Sequence, residues 1–280
     1  MEYTISLSTL LAIGANIFLG IAIPIALYVF FRKKYMCDNR VFVAGCSTMI
    51  AISLLAEMLI SYFFLPTTAG QYIYERPWLY GLFVGLVAAL IHEPGRYVCA
   101  KFFLRDELWN DHNALMFGAG YGSLMILSNM LMSSVSNFLL ARMIAKGQVS
   151  VYLENLSPEN LEVAQEALST LCNTSVASYL MLTVEQCVSI AAHLGLTVLV
   201  WFAVQGGKKK VKYLLLAMGL NFVLASVTCF AGGYSASAAL LLLLQAMLTA
   251  GIVYVSMRVW KKEFRPLEVL NRPLSSRPVK

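Results

Sequence analysis

The sequence predicts an all-α protein, a polytopic membrane helix bundle of about seven transmembrane helices, with its N-terminus outside and its C-terminus cytoplasmic. Three observations carry this. The 280 residues are 59% hydrophobic and 13% charged, whereas a soluble domain is about 45–50% apolar and about 25% charged. The apolar residues fall in long blocks, each supplying the ~20 residues that cross a hydrocarbon core of about 30 Å. Backbone groups in lipid must be satisfied internally, so these blocks are helices. Finally, the cations alternate between connections. They cluster at Arg32–Arg40, at Lys101 and Arg105, at Lys208–Lys212 and from Arg258 to Lys280, while Arg76, Arg142 and Lys146 lie opposite and Arg96 lies within a span. The positive-inside rule then orients the chain. The net charge of +6 reflects that orientation and contact with anionic lipid, and nucleic acid is not an expected partner.

The first block, Ile5–Phe31, is too long for a cleaved leader. Its basic cluster, Arg32 to Lys34, follows the apolar run instead of preceding it, so the helix is read as retained. The second block, Val41–Leu65, carries Glu57, and the third, Trp78–Leu104, carries His92, Glu93 and Arg96. The fourth, Asn113–Met143, holds the run from Gly118 to Ser123. There Gly118 and Gly122 permit close helix approach, and Gly120 adds a thin backbone surface near Tyr121. An outer loop of about residues 146–177 follows. Ser157 and Pro158 open a helix in it, with Leu161, Ala164, Leu168 and Leu171 at helical spacing and Glu159, Glu162 and Glu166 opposite. It reads equally as an amphipathic helix on the outer membrane face or as a solvated connector. The fifth block, Ser178–Gln205, carries Glu185 and His193; the sixth, Lys212–Gly232, carries Asn221; the seventh is Tyr234–Val259. Residues 1–264 thus make one integral membrane domain, and 265–280, with three prolines, a disordered cytoplasmic tail. The six cysteines show neither paired nor metal spacing, and no disulfide framework is implied.

Glu93 and Arg96 are the most informative residues. A charge at bilayer depth costs several kcal/mol and usually faces a polar interior. Their i, i+3 spacing puts both on one helical face. Glu93 can serve as a general base that activates water. His193 can act as an acid, orient water or hold a metal, and Tyr121 or Asn221 can donate to a developing oxyanion. The structural alternatives stand beside these. Glu93 and Arg96 can be a buried ion pair that fixes packing, and the glycine run can be packing alone. Glu57 and Glu185 are expected to be hydrogen-bonded interior residues, with His92 pairing to either glutamate. His112, beside Asp111 in a cytoplasmic loop, is expected to be inert. None of the three histidines shows His-Glu-x-x-His spacing. No cofactor is assigned, and a divalent metal stays open without support from ligand spacing.

At these residues the chain resembles the YhfC-type intramembrane proteases of bacteria, relatives of the CAAX-prenyl-protease-like glutamic membrane proteases. The family's Glu-Glu-Pro/Val-Gly-Arg-Tyr reads here as His92 to Tyr97. Its Gly-x-Gly-His-Gly-Gly-Ile-Glu reads as Gly118 to Met125. Its later Glu-Arg and His-x-x-x-Ser segments read as Glu185-Gln186 and His193 to Thr197, and its last-helix histidine is Asn221. The resemblance implies a multi-pass protein of the bacterial cytoplasmic membrane. It implies Glu93, His193 and Arg96 as catalytic residues, supported by His92, Tyr121, Asn221 and Glu185. The departures at 92, 121, 125 and 221 imply that the chemistry is either rebuilt or lost, since Tyr and Met do not replace His and Glu in proton transfer at neutral pH.

Three functions follow. The first is a peptidase acting on membrane or lipidated peptides, with a water-filled cavity opening to the cytoplasm. The second is a non-catalytic relative that binds such peptides. The third is a small-molecule transporter using the buried charges as a proton relay, against which no repeat between the two halves is evident.

Overall fold

The computed structural model describes residues 3–206, 210–234 and 237–265. Among these it is helical throughout, with no strand. Six helices are long and apolar enough to cross a membrane: Leu7–Tyr35, Pro77–Phe102, Asn113–Ala145, Val176–Gly206, Val211–Gly233 and Ala238–Glu263. The remaining expected block is helical too but irregular. It begins as an α-helix, Asn39–Met49, and runs on through π-helical turns at Ile50–Glu57 and Ile60–Phe64.

We label the α-helices α1 (Leu7–Tyr35), α2 (Asn39–Met49), α3 (Thr68–Tyr74), α4 (Pro77–Val87), α5 (Glu93–Phe102), α6 (Asn113–Ile126), α7 (Met132–Ala145), α8 (Val149–Glu154), α9 (Pro158–Asn173), α10 (Val176–Gly206), α11 (Val211–Gly233) and α12 (Ala238–Glu263). Several are capped as their sequences dictate. Ser6, Asp38, Thr67 and Ser237 each accept a hydrogen bond from a backbone N–H in the first turn. Arg32, Lys33 and Lys34 sit in the last turn of α1, where cations complement the helix dipole. Ser157 occupies the N-cap of α9 without bonding the backbone there; its hydroxyl takes the Asn160 side chain instead. Pro94 has no N–H and its ring crowds the carbonyl four residues back. The chain answers with a π-helical turn, Ala88–His92, immediately before it. Such turns absorb an extra residue and cluster at functional sites.

Small residues set the tightest interfaces. A Cβ on Gly45 would strike the Phe117 carbonyl and one on Gly120 the Phe42 carbonyl, so α2 and α6 meet backbone to backbone. Gly118 and Gly122 face the opposite way, against His193, Leu194 and Ile190 of α10. Gly81 and Gly85 likewise seat α4 on Ser226, Phe222 and Phe230 of α11. The glycine run is therefore used on two faces of one helix, which a single small-xxx-small pair does not predict. α10 is the central helix, packing on α1, α5, α6, α11 and α12. Its stretch around Trp201 and Phe202 joins Phe117, Met116 and Leu104 in the main apolar core.

Each end of the bundle is closed by protein. At one, α9 lays Leu168 and Leu171 against Ile13 of α1 and Ala141 and Ile144 of α7. This part of its apolar face is thus spent on protein contacts. At the other, the Asp111 carboxylate is fully buried. It takes Gln205 Nε2 at 2.6 Å, the Arg265 backbone N–H at 2.8 Å and Arg265 NH2 at 2.8 Å. His112 stacks on Tyr35 at 4.3 Å and meets Trp260 and Phe264 edge-on. Arg265, expected to begin the tail, belongs to the folded protein; residues 266–280 of that tail lie outside the described residues, as do Lys208 and Lys209.

Candidate functional site

Four helical elements bring polar side chains to one place in the middle of the bundle. Glu93 and Arg96 come from the first turn of α5, on the face turned to α10 and α11. Arg96 NH1 donates to Glu93 Oε1 at 2.6 Å, and both residues are 0% exposed. Asn221 of α11 donates from Nδ2 to the same Oε1 at 2.9 Å and to the Ala88 carbonyl, in the π-helical turn, at 3.3 Å. Arg96 NH2 lies 2.6 Å from His193 Nδ1 on α10. A guanidinium has only donors, so Nδ1 accepts and a neutral His193 carries its proton on Nε2. Thr197 bonds the His193 carbonyl at 2.7 Å. The Arg96 guanidinium also lies over the Tyr121 ring, 3.9 Å from its centroid. Such stacking contributes about 2 kcal/mol when desolvated.

A second chain of contacts starts at Tyr121. Its hydroxyl is 2.6 Å from His92 Nδ1, and His92 Nε2 is 2.9 Å from Glu57 Oε1. His92 therefore pairs with Glu57 and not with Glu185. Sequence spacing left that choice open, because 35 residues separate the partners.

The inner cluster is closed. Glu93 and Arg96 are fully buried, so the expected water-filled cavity at Glu93 is not present; the Arg96 side chain fills the space between Glu93 and His193. Two atoms nonetheless keep unused valence: Glu93 Oε2 and Arg96 Nε have no hydrogen-bond partner among the described residues. A buried polar atom left so costs about 1–3 kcal/mol. Each is an atom that a water or substrate group would satisfy only if the cluster parted to admit one. Concave surfaces of about 650 and 670 Å³ lie elsewhere, one along α1 and α7, the other beside α8 and α9.

Glu93, Arg96, His193 and Asn221 are joined by direct hydrogen bonds, and Tyr121 and His92 adjoin them. Glu185 does not join. It precedes His193 by eight residues, about 12 Å along the helix axis, and its side chain is exposed, so it is not the interior residue expected. Glu57, also expected inside, is half-exposed yet bonded to His92. Glu57 is the member of the assembly that sequence reasoning left out of the site; a lone carboxylate in an apolar block was the available signal.

A family model described as YhfC intramembrane metalloprotease matches residues 19–240. A Bacillus subtilis protein, described as uncharacterized membrane protein YhfC, is 30% identical over 196 residues, covering 69% of this chain and 72% of that protein. No solved structure matches the chain. The description names a metal, and the residues present do not fit one. The lone pair of His193 Nδ1 and the Glu93 Oε1 atom both face Arg96 N–H groups, so a divalent cation between them would meet a guanidinium. No group of three or more His, Cys, Asp or Glu among the described residues is placed to hold an ion.

Proposed function

The chain belongs to the YhfC family, a multi-pass membrane family, and on that premise we propose that it is an intramembrane peptidase acting on membrane or lipidated peptides. One observation carries the proposal: the Glu93 carboxylate is anchored through Oε1 by Arg96 and Asn221, while its buried Oε2 has no hydrogen-bond partner among the described residues. A carboxylate held on one oxygen, with the other unbonded, is oriented for work as a general base. The closed cluster has to part to admit water and peptide; Oε2 then takes a proton from that water as the water oxygen bonds to the scissile carbonyl carbon. The same proton passes to the departing nitrogen as the C–N bond breaks. The Arg96 Nε–H, without a partner among the described residues, and the His193 Nε2–H are the donors available to the developing oxyanion, and removing one such donor typically costs about 10²–10³ in rate. Arg96 keeps the buried carboxylate's charge balanced.

The test is purified protein in lipid nanodiscs against a library of transmembrane and lipidated peptides, read by mass spectrometry. Wild type cleaves and Glu93→Gln does not. Equal cleavage by both rejects this mechanism.

A second reading is favoured by the full burial of Glu93 and its pairing with Arg96: the protein binds such peptides without cutting them. In that case wild type leaves the library intact, and photocrosslinking traps a whole peptide against α5 and α10.

A further inference from the structure

Tyr121, His92 and Glu57 lie in a line that runs from the buried cluster to the surface. Tyr121 is fully buried, His92 is 8% exposed, and the Glu57 side chain is 49% exposed. The links are 2.6 Å and 2.9 Å, both within the range of direct proton transfer. His92 and Glu57 each occupy the last residue of a π-helical turn, and these two turns pack on each other. Three elements thus converge on a Tyr–His–carboxylate chain whose outer end faces away from the core.

We propose that Tyr121, His92 and Glu57 form a proton relay connecting the buried site to the exposed flank of the second apolar block. The purpose assigned to it rests on the peptidase reading; its geometry does not. With Glu57 as the carboxylate, its Oε1 accepts from His92 Nε2–H, and Nδ1 accepts the Tyr121 hydroxyl. When the carboxylic acid product of hydrolysis gives its proton to the Tyr121 oxygen, the phenol's own proton passes to His92 Nδ1. The Nε2 proton then passes to Glu57 Oε1, and Glu57 gives it to water at the flank. One proton enters, one leaves, and His92 ends as the neutral Nδ1–H form. Run in reverse, the same shift carries one proton from water to the amine product and restores the start. A tyrosine that is a poor acid alone can serve here because it never holds a net charge between transfers.

The charged and titratable groups around His92 are Glu57 from the second block, Tyr121 from α6, Glu93 and Arg96 from α5, and His193 from α10. The Arg96 guanidinium lies over the Tyr121 ring, 3.9 Å from its centroid. Glu57 is thereby a positioning and proton-exit residue, not one that touches substrate.

The test uses the full chain in lipid nanodiscs and a peptide that wild type cleaves. Glu57→Gln lowers kcat about 10²-fold, the lower end of what general acid–base groups supply, and leaves KM unchanged. It also turns a bowed proton inventory in H2O–D2O mixtures into a straight line. Tyr121→Phe does the same, and Glu57→Asp recovers part of the rate. Wild-type kcat and inventory in Glu57→Gln overturn the relay while leaving the peptidase reading intact. If wild type cleaves nothing, the peptidase reading fails on its own, and nitrogen NMR of the labelled histidines decides the relay. The relay then requires His92 protonated on Nε2 in wild type, with that preference lost in both Tyr121→Phe and Glu57→Gln. A proton fixed on Nδ1, or a tautomer indifferent to both substitutions, overturns it.

Discussion

Arg96 is the side chain on which the buried cluster depends, so its removal is the most exacting perturbation. Arg96→Met keeps most of the volume, shortens the side chain and deletes the charge. It strands the Glu93 carboxylate, which is fully buried and keeps only the Asn221 bond. Breaking a buried pair in this way costs about 3–5 kcal/mol. His193 Nδ1 also loses its donor, worth about 1 kcal/mol more. The total, about 4–6 kcal/mol, is a large share of the ~5–15 kcal/mol that keeps a folded protein together. Removing both charges is milder. In Glu93→Leu/Arg96→Met no carboxylate is stranded, Asn221 keeps the Ala88 carbonyl, and well-packed apolar replacements of buried pairs are often neutral. The double variant is therefore expected to be about 3 kcal/mol more stable than the sum of the single effects, the upper range for contacting residues. Equilibrium unfolding in mixed micelles, across wild type, both singles and the double, measures this. If Arg96→Met unfolds within about 1 kcal/mol of wild type, or the two singles add, the cluster is not the desolvated, mutually dependent unit described here.

Other consequences are as direct. Gly120→Ala drives a methyl into the Phe42 carbonyl and is expected to cost at least the ~1–3 kcal/mol of overpacking. Gly219→Ala on α11, with nothing within 4 Å of the added carbon, is neutral or mildly stabilising through helix propensity; the same unfolding assay ranks the two. Burial holds His112 below its ordinary value of 6.5, against the opposing pull of Asp111. The unfolded chain then binds the proton more readily, so stability is unaffected above the ordinary value and falls as pH drops below it. His112→Phe removes that acid limb in a pH series followed by Trp260 fluorescence. The Cys37 thiol is fully buried and pushed up to about 12 by that burial, so it resists maleimide at neutral pH until the protein is unfolded.

The bundle was legible because its signal is local. Long apolar runs in the sequence give the spans to within a few residues, and Gly232, Gly233 and Ser237 explain why α12 starts later than the apolar run at Tyr234. The Glu93–Arg96 pair was legible because i, i+3 geometry fixes it within one turn. The contacts that make the cluster were not. Arg96 meets His193 across 97 residues, and Asn221 meets Glu93 across 128. Periodicity carries no information at that range. The π-helical turns also escaped, since they arise from Pro94 and from how the second block packs rather than from composition. Glu57 was underweighted for the same reason. An isolated acidic residue in an apolar run looks alike whether it faces a partner or not, and only the turn at Ile50–Glu57 aims it at His92.

Because α10 is clasped by helices on nearly every side, it acts as the axle of the molecule, and His193 rides on it. The second apolar block is the opposite case: beyond α2 the regular helix gives way, and Met58, Leu59, Tyr62 and Phe63 stand uncovered. His193 is thereby held by the most enclosed helix of the bundle, while Glu57 and His92 end its least regular turns.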